Sequence, residues 1–138
     1  LKKMSKSEVS DLSRINLTDN KDQIINKIKK AKTDTLPLPT TIDELEKRPE
    51  AKNLIGIYSS LMNNTLQKTI DEFAGKNFSE FKEKLSEIVV NEINPISLKI
   101  KELLDDKVFL EKILKDGYEK ANEIASKKIK KIHEIVGF

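Results

Sequence analysis

Apolar residues recur at intervals of three and four along most of the chain, which is the spacing of one face of an α-helix. The first clear stretch predicts a helix over residues 21–32, with Asp19 or Asn20 as its N-terminal cap. Isoleucines line one side of this helix, and Lys27 is among the lysines assigned to its polar side. After a proline-containing loop, Thr41 is predicted to begin one short helical turn.

The middle of the chain predicts two further helices. The first begins near Pro49, because proline fits the first turn of a helix, and its apolar side includes Tyr58 as a core residue. Two asparagines at 63–64 interrupt the pattern. A second helix is predicted from Thr65 and ends at Gly75, a residue type that commonly terminates helices.

The last part of the chain has the longest periodic pattern, over residues 78–105. Pro95 removes one backbone hydrogen bond there and is expected to bend this helix. Two more helices are predicted at 107–115 and 117–136, with Tyr118 on an apolar, core-facing stripe. Short connections favour antiparallel neighbours, and no segment alternates apolar and polar residues as a strand does. The predicted fold class is all-α, a helical bundle.

Composition narrows the possible functions. The chain lacks cysteine, which excludes disulfides and thiolate metal sites, and its single histidine, His133, cannot form a zinc site alone. Apolar runs of about three residues are too short to cross a membrane, so we expect a cytoplasmic protein. Residues 1–32 have nine Lys or Arg against four Asp or Glu, which suggests an anionic partner for this segment. Because the first residue is Leu1, we expect a piece of a longer protein.

The residues with the clearest chemical potential are Lys3, Met4, Ser5, Lys6 and Ser7, which we call the lysine–serine motif. Two lysines three positions apart supply compact positive charge, and the serines supply hydroxyl donors. Such donors stabilise charge that develops on a leaving pyrophosphate. The competing interpretation is a solvated, lysine-rich terminus without a specific ligand.

The lysine–serine motif resembles the KMSKS signature of class I aminoacyl-tRNA synthetases. Segments farther along resemble parts of the tryptophanyl-tRNA synthetase family in the same order. These segments are residues 27–34, which end in Ala-Lys-Thr-Asp, residues 48–58, 81–82 (Phe-Lys), 94–96, 117–121 followed by Ala125, and 136–138. Glu8 and Val9 depart from the family, which often has Asp-Pro directly after the signature.

The resemblance implies an enzyme that activates tryptophan with ATP and Mg²⁺ and charges tRNA(Trp), usually as a homodimer. Lys3 and Lys6 would contact the ATP phosphates, with Lys6 stabilising the transition state. Ser5 and Ser7 would donate hydrogen bonds, and Met4 would hold the loop in shape. The nucleotide-binding Rossmann domain would precede Leu1, so the 138-residue chain alone is expected to be inactive.

The resemblance also divides the chain into parts. Residues 1–20 would form the KMSKS loop and connector, residues 21–48 a linking helix and proline-containing loop, and residues 49–138 a helical anticodon-binding-like domain. Four lysines in the last helix are candidate tRNA contacts: Lys127, Lys128, Lys130 and Lys131. Alternatives are another class I synthetase, or a non-catalytic helical module that binds RNA or a partner helix.

Overall fold

The structure is a computed structural model that describes residues 10–137. Within that range the chain is all-α, as predicted, with one 3₁₀ turn at Asp11–Ser13, no strand and six α-helices. The helices are α1 Lys21–Lys30, α2 Ile42–Glu46, α3 Pro49–Leu61, α4 Leu66–Phe73, α5 Phe78–Asp105 and α6 Lys107–Val136. No helix in the described part is both long enough and apolar enough to cross a membrane.

Polar side chains fix the starts of the early helices, as the sequence predicts. The Asn20 side chain accepts a hydrogen bond from the Gln23 backbone at 2.9 Å, and the Gln23 side chain accepts one from the Asn20 backbone at 2.8 Å. This reciprocal pair satisfies two backbone donors that a helix start leaves unpaired. Thr41 and Thr65 cap α2 and α4 through their side-chain hydroxyls, and Pro49 occupies the first turn of α3.

Residues with left-handed backbone conformations separate the central helices. Asn63 has a φ of 56° just after α3, and Gly75 has a φ of 71° just after α4. Asparagine and glycine tolerate this conformation better than other residues. Both helix ends agree with the predicted interruptions.

The prediction of two final helices is wrong, because α6 runs without a break from Lys107 through Gly117 to Val136. A single glycine inside a helix costs only about 1 kcal/mol relative to alanine. The flanking residues include many strong helix formers and no proline, so that cost does not end the helix. The α5 helix likewise continues through Pro95.

The chain forms two compact units, one ending at Leu98 and the other spanning Lys99–Phe138. The first unit contains the apolar core, at the centre of which Tyr58, Phe73 and Phe81 pack with ring centroids 4.9–5.6 Å apart. Tyr58 is therefore a core residue, as predicted. Its hydroxyl donates to Glu72 at 2.9 Å, and burial, together with this carboxylate, raises the tyrosine pKa to about 12.

The second unit consists of the end of α5 and the whole of α6. No residue of α6 is buried, and Tyr118 is 67% exposed. The prediction that Tyr118 lies in a core is wrong for the described residues. Helical periodicity shows that a residue belongs to an apolar face, but it does not show what covers that face.

Candidate functional site

The lysine–serine motif, Lys3, Met4, Ser5, Lys6 and Ser7, lies outside the described residues, so its predicted contacts stay predictions. The described chain begins at Ser10, whose side chain accepts a hydrogen bond from the Leu12 backbone and caps the 3₁₀ turn. The nearest described structure to the motif along the chain is therefore this turn and the segment leading to α1.

That segment is tied to α1 by a polar group that we call the Lys27 cluster: Lys27, Asp11, Asp19, Asn16 and Arg14. The Lys27 ammonium donates to Asp11 Oδ2 and to Asp19 Oδ2, each at 2.6 Å. The Asn16 backbone N–H donates to Asp19 Oδ2 at 2.8 Å, and its side-chain amide donates to Asp11 Oδ1 at 3.0 Å. Arg14 pairs with Asp11 Oδ1 at 3.0 Å.

Burial differs between the two acidic partners of Lys27. The side chains of Lys27 and Asp19 are only 7% and 5% exposed, whereas Asp11 is 50% exposed. Desolvation lowers the Lys27 pKa, but hydrogen bonds from the ammonium to both carboxylates outweigh it and raise that pKa overall. The hydrogen bond from Lys27 is also the main cause of a lowered Asp11 pKa. Lys27 and Asp11 are thus both ionised at neutral pH.

Sequence reasoning missed this cluster. It assigned Lys27 to the polar side of α1 and treated Asp19 as an alternative cap residue. The helical periodicity of apolar residues contains no information about Asp11, which lies 16 positions before Lys27 along the chain. One available signal was that Lys27 lies between isoleucines that face the core, Ile24 and Ile28.

A second polar group holds the loop formed by residues 31–40. Arg48 donates from Nε to Asp34 Oδ2 at 2.8 Å and from Nη1 to the Pro37 carbonyl at 2.7 Å. Its guanidinium also lies 5.6 Å from the centroid of the Phe78 ring. The hydrogen bond from Arg48 is the main cause of a lowered Asp34 pKa.

Lys82, a residue of α5, binds the beginning of the same loop. Its ammonium donates to the Ala31 carbonyl at 2.7 Å, and to the Lys29 carbonyl and Thr33 Oγ1 at 3.3 Å each. The Lys82 ammonium therefore satisfies carbonyls that the C-terminal end of α1 leaves unpaired. Burial lowers the Lys82 pKa.

Three of the segments that resemble the synthetase family therefore meet at one loop. Thr33 and Asp34 come from the first segment, Arg48 from the second and Lys82 from the third. A groove of about 530 Å³ lies beside them, and Asp34 and Lys82 in its wall are already engaged with protein partners. These residues hold the loop in place.

The four candidate tRNA-binding lysines are exposed and lie within an arc of about 160° on one side of α6. At 100° per residue, Lys127 and Lys131 lie about 40° apart near the middle of this arc, and Lys128 and Lys130 lie at its two edges. Lys120, seven positions before Lys127, falls on the same row and was missed by sequence reasoning. Lys127 donates to Glu123 at 2.7 Å, an exposed pair that water and salt weaken.

Among residues 10–137, no group of three or more His, Cys, Asp or Glu side chains could hold a metal ion. The acidic side chains of the Lys27 cluster face cations that the chain itself supplies.

Comparison with known proteins identifies the family. Residues 1–94 match the family described as tRNA synthetases class I (W and Y). The tryptophan–tRNA ligase of Agrobacterium fabrum is 48% identical over 99% of this chain and 39% of its own length. That of Caulobacter vibrioides is 46% identical over 99% of this chain and 40% of its own length. That of Rickettsia felis is 49% identical over the whole chain and 41% of its own length.

The chain thus spans about two fifths of the length of the curated relatives that it matches. The family match covers more than half of the chain and includes both the Lys27 cluster and the 31–40 loop. On these grounds, the chain belongs to the class I tRNA synthetases of the tryptophan and tyrosine group.

Proposed function

We propose that the protein containing this chain is a tryptophan–tRNA ligase. It would join tryptophan to ATP as tryptophanyl-adenylate, release pyrophosphate and transfer the tryptophan to tRNA(Trp). The observation that supports this most strongly is the similarity to ligases of that name, at 44–49% identity along essentially the whole chain. The chain would supply a phosphate-binding loop and a helical RNA-binding part.

Within that function, the lysine–serine motif would contact the ATP phosphates. Lys3 and Lys6 offer ammonium groups to the triphosphate, and Ser5 and Ser7 offer hydroxyl donors. Met4 would hold the loop in shape between them. Negative charge grows on the leaving pyrophosphate, so a cation placed there in advance lowers the barrier to activation. Mg²⁺ would accompany ATP and share this charge neutralisation.

Substitution of Lys6 tests this assignment in the complete enzyme. We expect Lys6→Ala to slow tryptophan-dependent ATP–pyrophosphate exchange by about 10²- to 10³-fold, the usual cost of removing one preorganised donor. Lys2→Ala is the matched control, because it removes a neighbouring lysine outside the motif and should leave the rate nearly unchanged. An unchanged rate in the Lys6 variant would overturn the assignment.

The helical part, residues 49–138, is the proposed site of tRNA binding. Support comes from the exposed lysines of α6, where residues 120–136 contain five lysines and two glutamates. Phosphates of RNA attract such a surface, and the attraction weakens as salt rises. The aligned row Lys120, Lys127 and Lys131 presents this charge along one side of the helix.

The runner-up function is activation of a different amino acid, tyrosine above all, because the family model covers both groups. A non-catalytic helical module that binds RNA or a partner helix is the other alternative. The amino acid that supports ATP–pyrophosphate exchange by the complete protein distinguishes a tryptophan ligase from a ligase for another amino acid. Absence of exchange with any amino acid would favour the non-catalytic module. A cytoplasmic homodimer is the assembly and location that we propose for the complete enzyme.

A further inference from the structure

We propose that Asp11 and Lys27 are positioning residues for the activation reaction: they hold the start of the described chain, four positions after the lysine–serine motif, to α1. This inference rests on the proposed function of the motif. It assigns a task to the Lys27 cluster, whose charged groups have no role in the reaction as described so far.

The anchor is built on a helix that packs into the core. Lys27 belongs to α1, between the fully buried Ile24 and the nearly buried Ile28. Its ammonium is 2.6 Å from a carboxylate oxygen of Asp11 and 2.6 Å from one of Asp19. Charge-assisted hydrogen bonds of this length are the stronger kind, so Asp11 is held to a helix of the core.

Asp11 balances the charge of Arg14 and also links the start of the described chain to α1 through Lys27. Asp19 is as buried as Lys27 and neutralises it one to one. Asp11 is half-exposed and could be solvated by water at little cost. Its contacts instead join three groups, Lys27, Arg14 and Asn16, to the first residue of the 3₁₀ turn.

The motif lies a short chain length from this anchor. Asp11 comes four positions after Ser7, so their Cα atoms are at most about 14 Å apart. A fixed end restricts the volume that a short segment can occupy and lowers the entropy lost when its lysines meet a substrate. Release of Asp11 from Lys27 would widen that volume without altering the motif.

Substitution of Asp11 tests the proposal in the complete enzyme. We expect Asp11→Ala to lower kcat of tryptophan-dependent ATP–pyrophosphate exchange about fivefold, because one positioning interaction is removed and the lysines remain. The KM for tryptophan should stay unchanged. Asp34→Ala is the matched control, because it breaks a comparable ion pair on the 31–40 loop. It should lower the melting temperature and leave kcat unchanged.

A double-mutant cycle then distinguishes positioning from general destabilisation. If Asp11 acts through Lys6, Asp11→Ala should cost little in a Lys6→Ala background. Two results would overturn the inference and leave the proposed function standing. One is an equal loss of kcat on Asp11→Ala in the wild-type and Lys6→Ala backgrounds. The other is a kcat that Asp11→Ala leaves unchanged although Lys6→Ala lowers it. A normal rate for Lys6→Ala would instead overturn the proposed function of the motif. A loss of kcat in Asp34→Ala as large as that in Asp11→Ala would also overturn the inference.

Discussion

At the scale of single residues, the first unit is organised by buried or half-buried charges that each have a specific partner. Arg48 is 15% exposed and binds Asp34 through two nitrogens while also reaching a loop carbonyl. A planar guanidinium matches a carboxylate in this two-point way, which lysine cannot do. The loop therefore depends on the ionised state of Asp34.

This dependence predicts how stability changes with pH. The Asp34 pKa is lowered in the folded chain, so the pair stabilises the fold above the unfolded value of about 3.8 and is lost as pH falls through the lower folded value. Wild type should therefore melt at a higher temperature than Asp34→Asn at pH 7. The difference should shrink once the pH is below about 4.

Thermal melts of both proteins from pH 7 to pH 2.5 measure this difference. Asp71→Asn is the control, because Asp71 is exposed and accepts a hydrogen bond from the neutral Gln67 amide. It should change stability little at any pH. A difference between wild type and Asp34→Asn that is constant down to pH 2.5 would contradict the account.

The distance along the chain between a side chain and its partner decides whether the contact can be predicted from the sequence. Asn20 and Thr65 were predicted as caps or helix starts because capping depends on residues two or three positions away. The partners of Lys27 are 8 and 16 positions away and depend on the path of the chain. Lys82 reaches back about 50 positions to the end of α1. Local patterns contain no such information.

At the scale of elements, α6 is the helix on which the proposed tRNA contacts lie. It is a single helix of 30 residues with no buried residue, and its lysines point in several directions. Three of these lysines, Lys120, Lys127 and Lys131, are spaced by seven and four positions and therefore form one row along the helix. Lys128 and Lys130 flank this row, so the row is the centre of the lysine-rich side of α6 and the better target for charge reversal.

Charge reversal on this row gives a direct test with tRNA(Trp) and the complete protein. Lys127→Glu with Lys131→Glu should weaken binding and reduce the dependence of log affinity on log salt by about 0.7–0.9 for each phosphate that the row no longer neutralises. The matched control is Lys112→Glu with Lys115→Glu, which changes net charge equally on an earlier turn of α6. Equal losses of affinity in the two pairs would show that overall charge, and not this row, attracts the RNA.

At the scale of the whole molecule, the chain comprises two compact units and spans about two fifths of the length of its relatives. The all-α class and the boundaries of five helices followed from periodicity, caps and turn residues. The continuity of α6 did not, because a glycine within a helix and a glycine that ends one look alike in sequence. Membership of the synthetase family depended on ordered motifs, which helical periodicity alone cannot supply.

The central claim is that this family member activates tryptophan. The most direct measurement is ATP–pyrophosphate exchange by the complete protein, with tryptophan or tyrosine as the only added amino acid. The account predicts exchange that depends on tryptophan and is at least about 100-fold less efficient with tyrosine, since binding sites reject analogues with unmatched polar groups by such factors. Exchange that depends on tyrosine, or no exchange with either amino acid, would contradict it.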